Sequence, residues 1–259
     1  MKKKKKFESA YVAAVLIPVA LIAFWETASR TGLLTTALLP SPSKIWQAFI
    51  NNVQSGALQK NIIVSVGRVL KGYVLGSIAG IILGTAMGLS PWLSKALSVI
   101  TGVLRPVPVI AWTPILILFL GIGEESKVVV IAIGSFWPVL TSVMYGVRDV
   151  DIKYKEVATI LKKGRLETIC QVIIPAALPS IFSGLRTAVG IAWISVVGAE
   201  LIASSSGLGY MISYAREMSR ADNMFVGVAV IGLIGWLINI GLGKLEKLTV
   251  RWSDNVKNS

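Results

Sequence analysis

Residues 128–147 read VVVIAIGSFWPVLTSVMYGV, an unbroken run without a charge, closed off by Lys127 on one side and Arg148 on the other. A helix rises about 1.5 Å per residue, so about 20 apolar residues are what it takes to cross the hydrocarbon core of a bilayer. Residues 72–94, between Lys71 and Lys95, and 223–243, between Asp222 and Lys244, have the same character. Buried helices of soluble proteins seldom stay uncharged for that length. The whole chain agrees: its 259 residues are 54% hydrophobic and 15% charged, with a mean hydropathy of +0.72, whereas soluble domains carry about 25% charge. The fold class is an all-α membrane protein.

Working outward, the hydropathy pattern predicts six transmembrane helices, at about 10–28, 66–89, 93–121, 127–147, 178–204 and 223–243. The chain then divides into a basic N-terminus (1–9), a first helix with an external loop (10–61), a core (62–243) containing a polar loop at 148–179, and a tail (244–259). Within the external loop, Leu39-Pro40-Ser41-Pro42 favours an extended turn, followed by a short amphipathic helix over 44–53. The net charge of +13 would suit nucleic acid, but the cations sit where membrane topology puts them. Lysines 2–6 precede an apolar run that has no small-residue cleavage site after it, so the run is read as a retained helix and not a signal peptide. Lys and Arg concentrate on the side of the N-terminus, the 148–179 loop and the tail, which places both termini in the cytoplasm of a bacterial cell, with membrane lipid around the spans and no nucleic acid partner. The chain has no histidine and a single cysteine, Cys170, which excludes an internal disulfide and a cysteine-rich metal site.

The 148–179 loop is too polar to cross and too short to be a domain. Asp149 and Asp151 are placed to cap a helix, Ile152, Val157, Ile160 and Leu161 supply an apolar stripe, and Pro175 and Pro179 punctuate the chain before the fifth span. The result is an amphipathic helix on the cytoplasmic face. It either receives a partner or rests in the lipid headgroups, and its composition alone leaves both open.

The wording of that loop is more specific. Glu156-Val157-Ala158, Gly164 and Ile173-Ile174-Pro175-Ala176-Ala177-Leu178-Pro179 follow one another in an order that resembles the EAA loop of ATP-binding-cassette importer permeases. The family usually carries glycine six residues after the glutamate; here that position is Lys162, and Gly164 comes two residues later, so a turn built differently is expected. Arg105-Pro106-Val107-Pro108, Gly184-Leu185-Arg186, Ala199-Glu200-Leu201-Ile202-Ala203 and Ser205-Ser206-Gly207-Leu208-Gly209-Tyr210 extend the likeness across nearly the whole chain. Together they are similar to the branch that imports nitrate, sulfonates and taurine. The resemblance implies a methionine-importer-like permease fold, working as a pair of membrane subunits (a homodimer) with two cytoplasmic ATPase subunits and an external substrate-binding protein. It also implies that Glu156, Val157, Ala158, Leu161, Lys162 and Gly164 form the contact with the ATPase. No Gly-x-x-x-x-Gly-Lys-Ser/Thr loop is present to cradle phosphates, so this chain is expected not to be an enzyme. ATP and Mg belong on the partner, and no cofactor is expected here.

Charged groups inside a span cost a few kcal/mol or more and need a reason. Arg105 interrupts the third span beside Pro106 and Pro108, where freed carbonyls must face protein or water. It either lines an anion path or ties those carbonyls to a neighbour. Arg186 and Glu200 are separated by roughly 21 Å along the fifth span and share a face, expected to look into the bundle. Arg186 is a pathway or gate candidate; Glu200 is a hydrogen-bond acceptor or gate element in preference to a proton carrier. Trp112, Trp137 and Trp193 either narrow a passage or simply pack. Gly76, Gly80, Gly84 and Gly88 form a small-residue ridge for close helix contact, inside the subunit or across a dimer. The rival reading, a secondary transporter driven by an ion gradient, lacks a visible internal repeat and has only Glu200 as an acidic residue deep in a span.

Overall fold

The computed structural model describes residues 2–33, 35 and 38–249; the side chains of residues 2–15, 155 and 246–249 are outside that description. The basic N-terminal lysines and the end of the tail, both used for orientation, therefore lie outside the described side chains. Every regular element among the described residues is helical.

Helix α1 (Lys2–Arg30) is held to α2 (Pro42–Gln54) at its end. The Glu26 carboxylate accepts from the Ser43 backbone N–H (3.0 Å) and hydroxyl (2.8 Å) and from Arg30. Ser41 caps α2 through Lys44 N, with Pro42 at the first turn, where a missing N–H costs nothing. The amphipathic helix expected at 44–53 is thus present and slightly longer.

Helix α3 (Ala57–Leu89) begins nine residues before the expected span, because its polar first turns find partners inside the protein. Its glycines from Gly72 to Gly88 face α6 (Glu124–Arg148). A methyl group at Gly76 would stand 2.2 Å from the Ala132 carbonyl oxygen, and at Gly84 2.7 Å from that of Leu140. The ridge is therefore an intrasubunit contact: without side chains the two backbones approach directly. On its other side α6 packs on α9 (Ile174–Ala203), where Gly146 and Gly184 meet Ser180 and Ser142. Val130, Ile131, Val139, Leu140 and Val143 of α6 are almost wholly buried, which makes α6 the central helix.

The expected third span is not one helix. It is α4 (Pro91–Leu104), a bend of 80° across Arg105 to Pro108, a 3-10 turn (Val109–Ala111) and α5 (Trp112–Leu120). Pro106 and Pro108 remove donors and prevent a regular continuation. The prolines of the loop behave differently. After α7 (Ile152–Ile160) and α8 (Arg165–Thr168), a π-helical turn (Ile169–Ile173) leads straight into α9, so Pro175 and Pro179 lie within the helix instead of ending the loop. The wider turn absorbs the mismatch that a proline imposes on the preceding carbonyls. Helix α10 (Leu208–Glu217), not anticipated, precedes α11 (Ala221–Thr249). Among the described residues four helices or continuous helical runs are long and apolar enough to cross a membrane, and the bent α4–α5 pair makes five if taken as one span.

Candidate functional site

Helix α7 projects from one end of the bundle. Asp151 caps it by accepting from Lys153 N at 2.9 Å. Among its described side chains the buried anchor is Ala158, 2% exposed, while Val157 (53%), Ile160 (77%), Leu161 and Glu156 face outward. The turn that ends α7 is built on Lys162, whose φ of 52° is left-handed. The Lys163 N–H reaches the Ala158 carbonyl (3.0 Å) and the Lys162 N–H the Thr159 carbonyl (3.0 Å), the paired bonds of a Schellman motif. Lysine therefore occupies the conformation that glycine ordinarily takes, and the turn keeps its usual shape. Gly164 has an ordinary extended conformation and serves another purpose: it precedes α8, and its N–H is accepted by the Glu167 carboxylate at 3.2 Å.

The opposite end of α6 lies about 37 Å away, taking 1.5 Å for each of its 25 residues. There three elements converge on Arg68, 3% exposed. Its guanidinium donates to both oxygens of Glu124 (2.6 and 2.5 Å), to Glu200 (2.8 Å) and to the Ser206 carbonyl (2.7 Å). Glu200 also accepts from the Ser65 hydroxyl and the Gly209 N–H, 2.8 Å each, and Asn61 accepts from the Gly207 N–H at 2.8 Å. Gly207 has a φ of 111°, and a methyl group there would stand 2.3 Å from the Glu200 carboxylate. The arrangement ties α3, α6, α9 and the entry to α10 into one polar knot. Arg68 thus faces the interior. Asn61, Ser65, Arg68 and Glu124 were not singled out from sequence as site residues; the available signal was an arginine near a span with two carboxylates elsewhere to meet it.

The remaining candidates separate. Trp193 is core: its indole N–H donates to the Ile231 carbonyl at 2.8 Å, joining α9 to α11. Arg186 does not look into the bundle with Glu200 as expected. It is exposed, beside α11, where a methyl group at Gly243 would meet its guanidinium at 3.3 Å. Arg186 stands about 40° around α9 from Glu200, and at its level that offset clears the packed face: Gly184 and Ala188 are buried while Arg186 and Thr187 are exposed. Trp112 and Trp137 line one cavity of about 470 Å³ and Arg105 lines the adjoining one, of about 570 Å³.

A helical bundle of membrane length, with a short helix presented at one end and a polar knot at the other, defines the class: a polytopic helical membrane protein. The chain belongs to the family of binding-protein-dependent transport system inner membrane components, whose model matches residues 72–249. It is 36% identical to the putative aliphatic sulfonates transport permease protein SsuC of Bacillus subtilis (strain 168), with 98% of this chain and 92% of that protein covered. It is 33% identical to the taurine transport system permease protein TauC of Escherichia coli (strain K12), with 92% and 88% covered. Among solved structures, the inward-facing MetNI methionine ABC transporter superposes with a TM-score of 0.68 at 15% identity, covering 76% of this chain and 97% of that one. At that identity the likeness speaks for the fold. The chain is an inner-membrane permease subunit of an ATP-driven importer.

Proposed function

We propose that the chain works as one of a pair of identical permease subunits that import a small anion, such as a sulfonate, taurine or nitrate, handed over by an external binding protein. Two cytoplasmic ATPase subunits grip α7, hydrolyse ATP with Mg, and rock the helices between outward- and inward-open forms. Both termini lie in the cytoplasm, in keeping with the excess of Lys and Arg on that side.

The observation that carries this reading is α7 itself. It holds to its own subunit through Ala158 and leaves Val157, Ile160 and Leu161 uncovered beside Glu156. An apolar stripe on a helix that leaves the membrane-length bundle is a surface made for a partner. Relatives named for aliphatic sulfonates and taurine support a sulfonate-type anion. The test is Glu156→Arg in the assembled transporter. It should keep the protein in the membrane and abolish substrate-stimulated ATP hydrolysis and uptake together; normal transport by this variant removes α7 from the contact.

A further inference from the structure

A groove of about 470 Å³ runs between the end of α1, one side of α2 and the first turns of α11. Ile22 and Trp25 of α1, Ile45 and Phe49 of α2, and Phe225 and Leu233 of α11 help to wall it, and no charged or amide side chain among the described residues lines it. Trp25 and Phe225 meet within it, their ring centroids 5.7 Å apart. The other side of α2 lines a polar pocket of about 450 Å³, with Lys44, Gln47 and Asn51 facing Arg220 and Asp222 of the α10–α11 turn. An amphipathic helix with water on one side and hydrocarbon on the other marks the boundary of a membrane. Trp46, 63% exposed and stacked on Phe49, is the kind of aromatic that settles at that boundary. The groove therefore begins just inside the bilayer. From Phe225 to Leu233 it extends about 12 Å along α11, just short of the about 15 Å that one leaflet contributes to the hydrocarbon core. Spread over that length, its volume gives a cross-section of about 40 Å², about 7 Å across, which admits a hydrocarbon chain but not a helix about 10–12 Å wide with its side chains. Every side chain from Leu16 to Phe24 is exposed, so α1 leaves the bundle beyond Trp25 and the groove opens toward the bilayer centre.

We propose that this groove holds one acyl chain of a phospholipid from the leaflet at the α2 end. The phosphate lies at the level of Arg30 and Lys44, the exposed cations where α1 meets α2. Arg30 gives its Nε to Glu26 and is otherwise exposed, and Lys44 forms no ion pair among the described residues. The tail fills space between α1 and α11 that the side chains of the subunit leave open, and so fastens α1 to the bundle. It also steadies α2, which leans on α11 through Ala48 and through Asn52 beside Asn223. The proposal requires a membrane around the chain and does not depend on which solute the permease imports.

The assembled permease–ATPase complex, purified in mild detergent with added phosphatidylcholine, is weighed intact by native mass spectrometry. One phospholipid should remain on each permease chain. Ala229→Trp places an indole in the groove at an exposed position and should lower that occupancy about tenfold or more. Val99→Trp, at a position 72% exposed on α4 and away from the groove, should leave it unchanged. Alkylphosphocholines of increasing chain length, added below their micelle concentrations, should displace the lipid about fourfold more tightly for each added methylene. The gain should level off near about ten carbons, the chain that covers about 12 Å at about 1.2 Å per bond. Equal loss in the two tryptophan variants, retention in both, or tightening that never levels off overturns the proposal. Absence of retained lipid together with a disulfide between two Ala229→Cys chains that also carry Cys170→Ser would give the groove to a second copy and overturn it equally. Should Ala229→Trp fail to assemble, the chain-length series on the unaltered complex decides.

Discussion

The knot around Arg68 contains a contest between distance and burial that mutation can settle. Its shortest contacts go to Glu124, at 2.5 and 2.6 Å, yet the Glu124 side chain is 63% exposed. The contact to Glu200 is longer, 2.8 Å, but both side chains are buried, at 3% and 0% exposure. Solvent screens the first pair and not the second. Arg68→Met leaves Glu200 as a buried carboxylate whose remaining donors among the described residues are Ser65 and Gly209, which should cost about 3–5 kcal/mol. Glu200→Gln keeps the shape, and Glu124 still neutralises Arg68, so about 2–3 kcal/mol is expected from the charged hydrogen bonds that are lost. Glu124→Gln should cost about 1 kcal/mol or less. In the Arg68→Met/Glu200→Gln double variant the two losses should overlap by about 1–3 kcal/mol, since each removes the same interaction. The assay is unfolding of the purified permease by sodium dodecyl sulfate, with the wild type, Arg68→Met, Glu200→Gln and their double variant forming the cycle and Glu124→Gln measured beside it. Additive single effects, or Glu124→Gln as costly as Arg68→Met, would refute the claim that burial outweighs contact length here.

Two further changes probe the packing and the exposed helix. Gly76→Ala should destabilise the protein by about 1–3 kcal/mol, because the new methyl meets the Ala132 carbonyl and not a movable side chain, whereas Gly67→Ala, with nothing within 4 Å, should be neutral or stabilising. Equal thermal midpoints for the two variants would show that α3 and α6 are not in backbone contact. Lys162→Gly should relieve about 1 kcal/mol at the left-handed turn and slow hydrogen exchange of the α7 amides about fivefold; unchanged or faster exchange would mean the turn carries no strain.

Much of this architecture could be read from residue type alone. The uncharged runs around 72–94, 128–147 and 223–243 became α3, α6 and α11, and the break at Pro106 and Pro108 fell where two missing donors demanded it. What hydropathy hid was the start of α3. Asn61, Ser65 and Arg68 look like a polar loop margin, and only the fold reveals that Gly207, Leu208 and two carboxylates need them. The partners of Arg68 lie 56 and 132 positions along the chain, and no local pattern encodes such distances. Helix α10 escaped because ten residues of mixed polarity carry no membrane signal and follow a serine-glycine stretch that reads as a turn. Lys162 was legible as a departure from the glycine of the family, but its left-handed φ was not: the surrounding hydrogen bonds impose the conformation on a residue that would not choose it.

These placements bear on how a push on α7 becomes movement across the membrane. Helix α6 leads directly to α7 and is packed along its length between α3 and α9, with glycines letting backbone touch backbone. Close-packed surfaces of this kind shift as units and do not deform continuously. At the far end the Arg68 knot fastens the same three helices together and holds the entry to α10. On the docking proposed for α7, a displacement delivered there would be carried by α3, α6 and α9 as one body over the full depth of the bundle. The bent α4–α5 segment sits against that body across cavities, with its break at Arg105 to Pro108. Relative motion has its room there, and Arg105 and Arg148, which form no ion pair among the described residues, line that space.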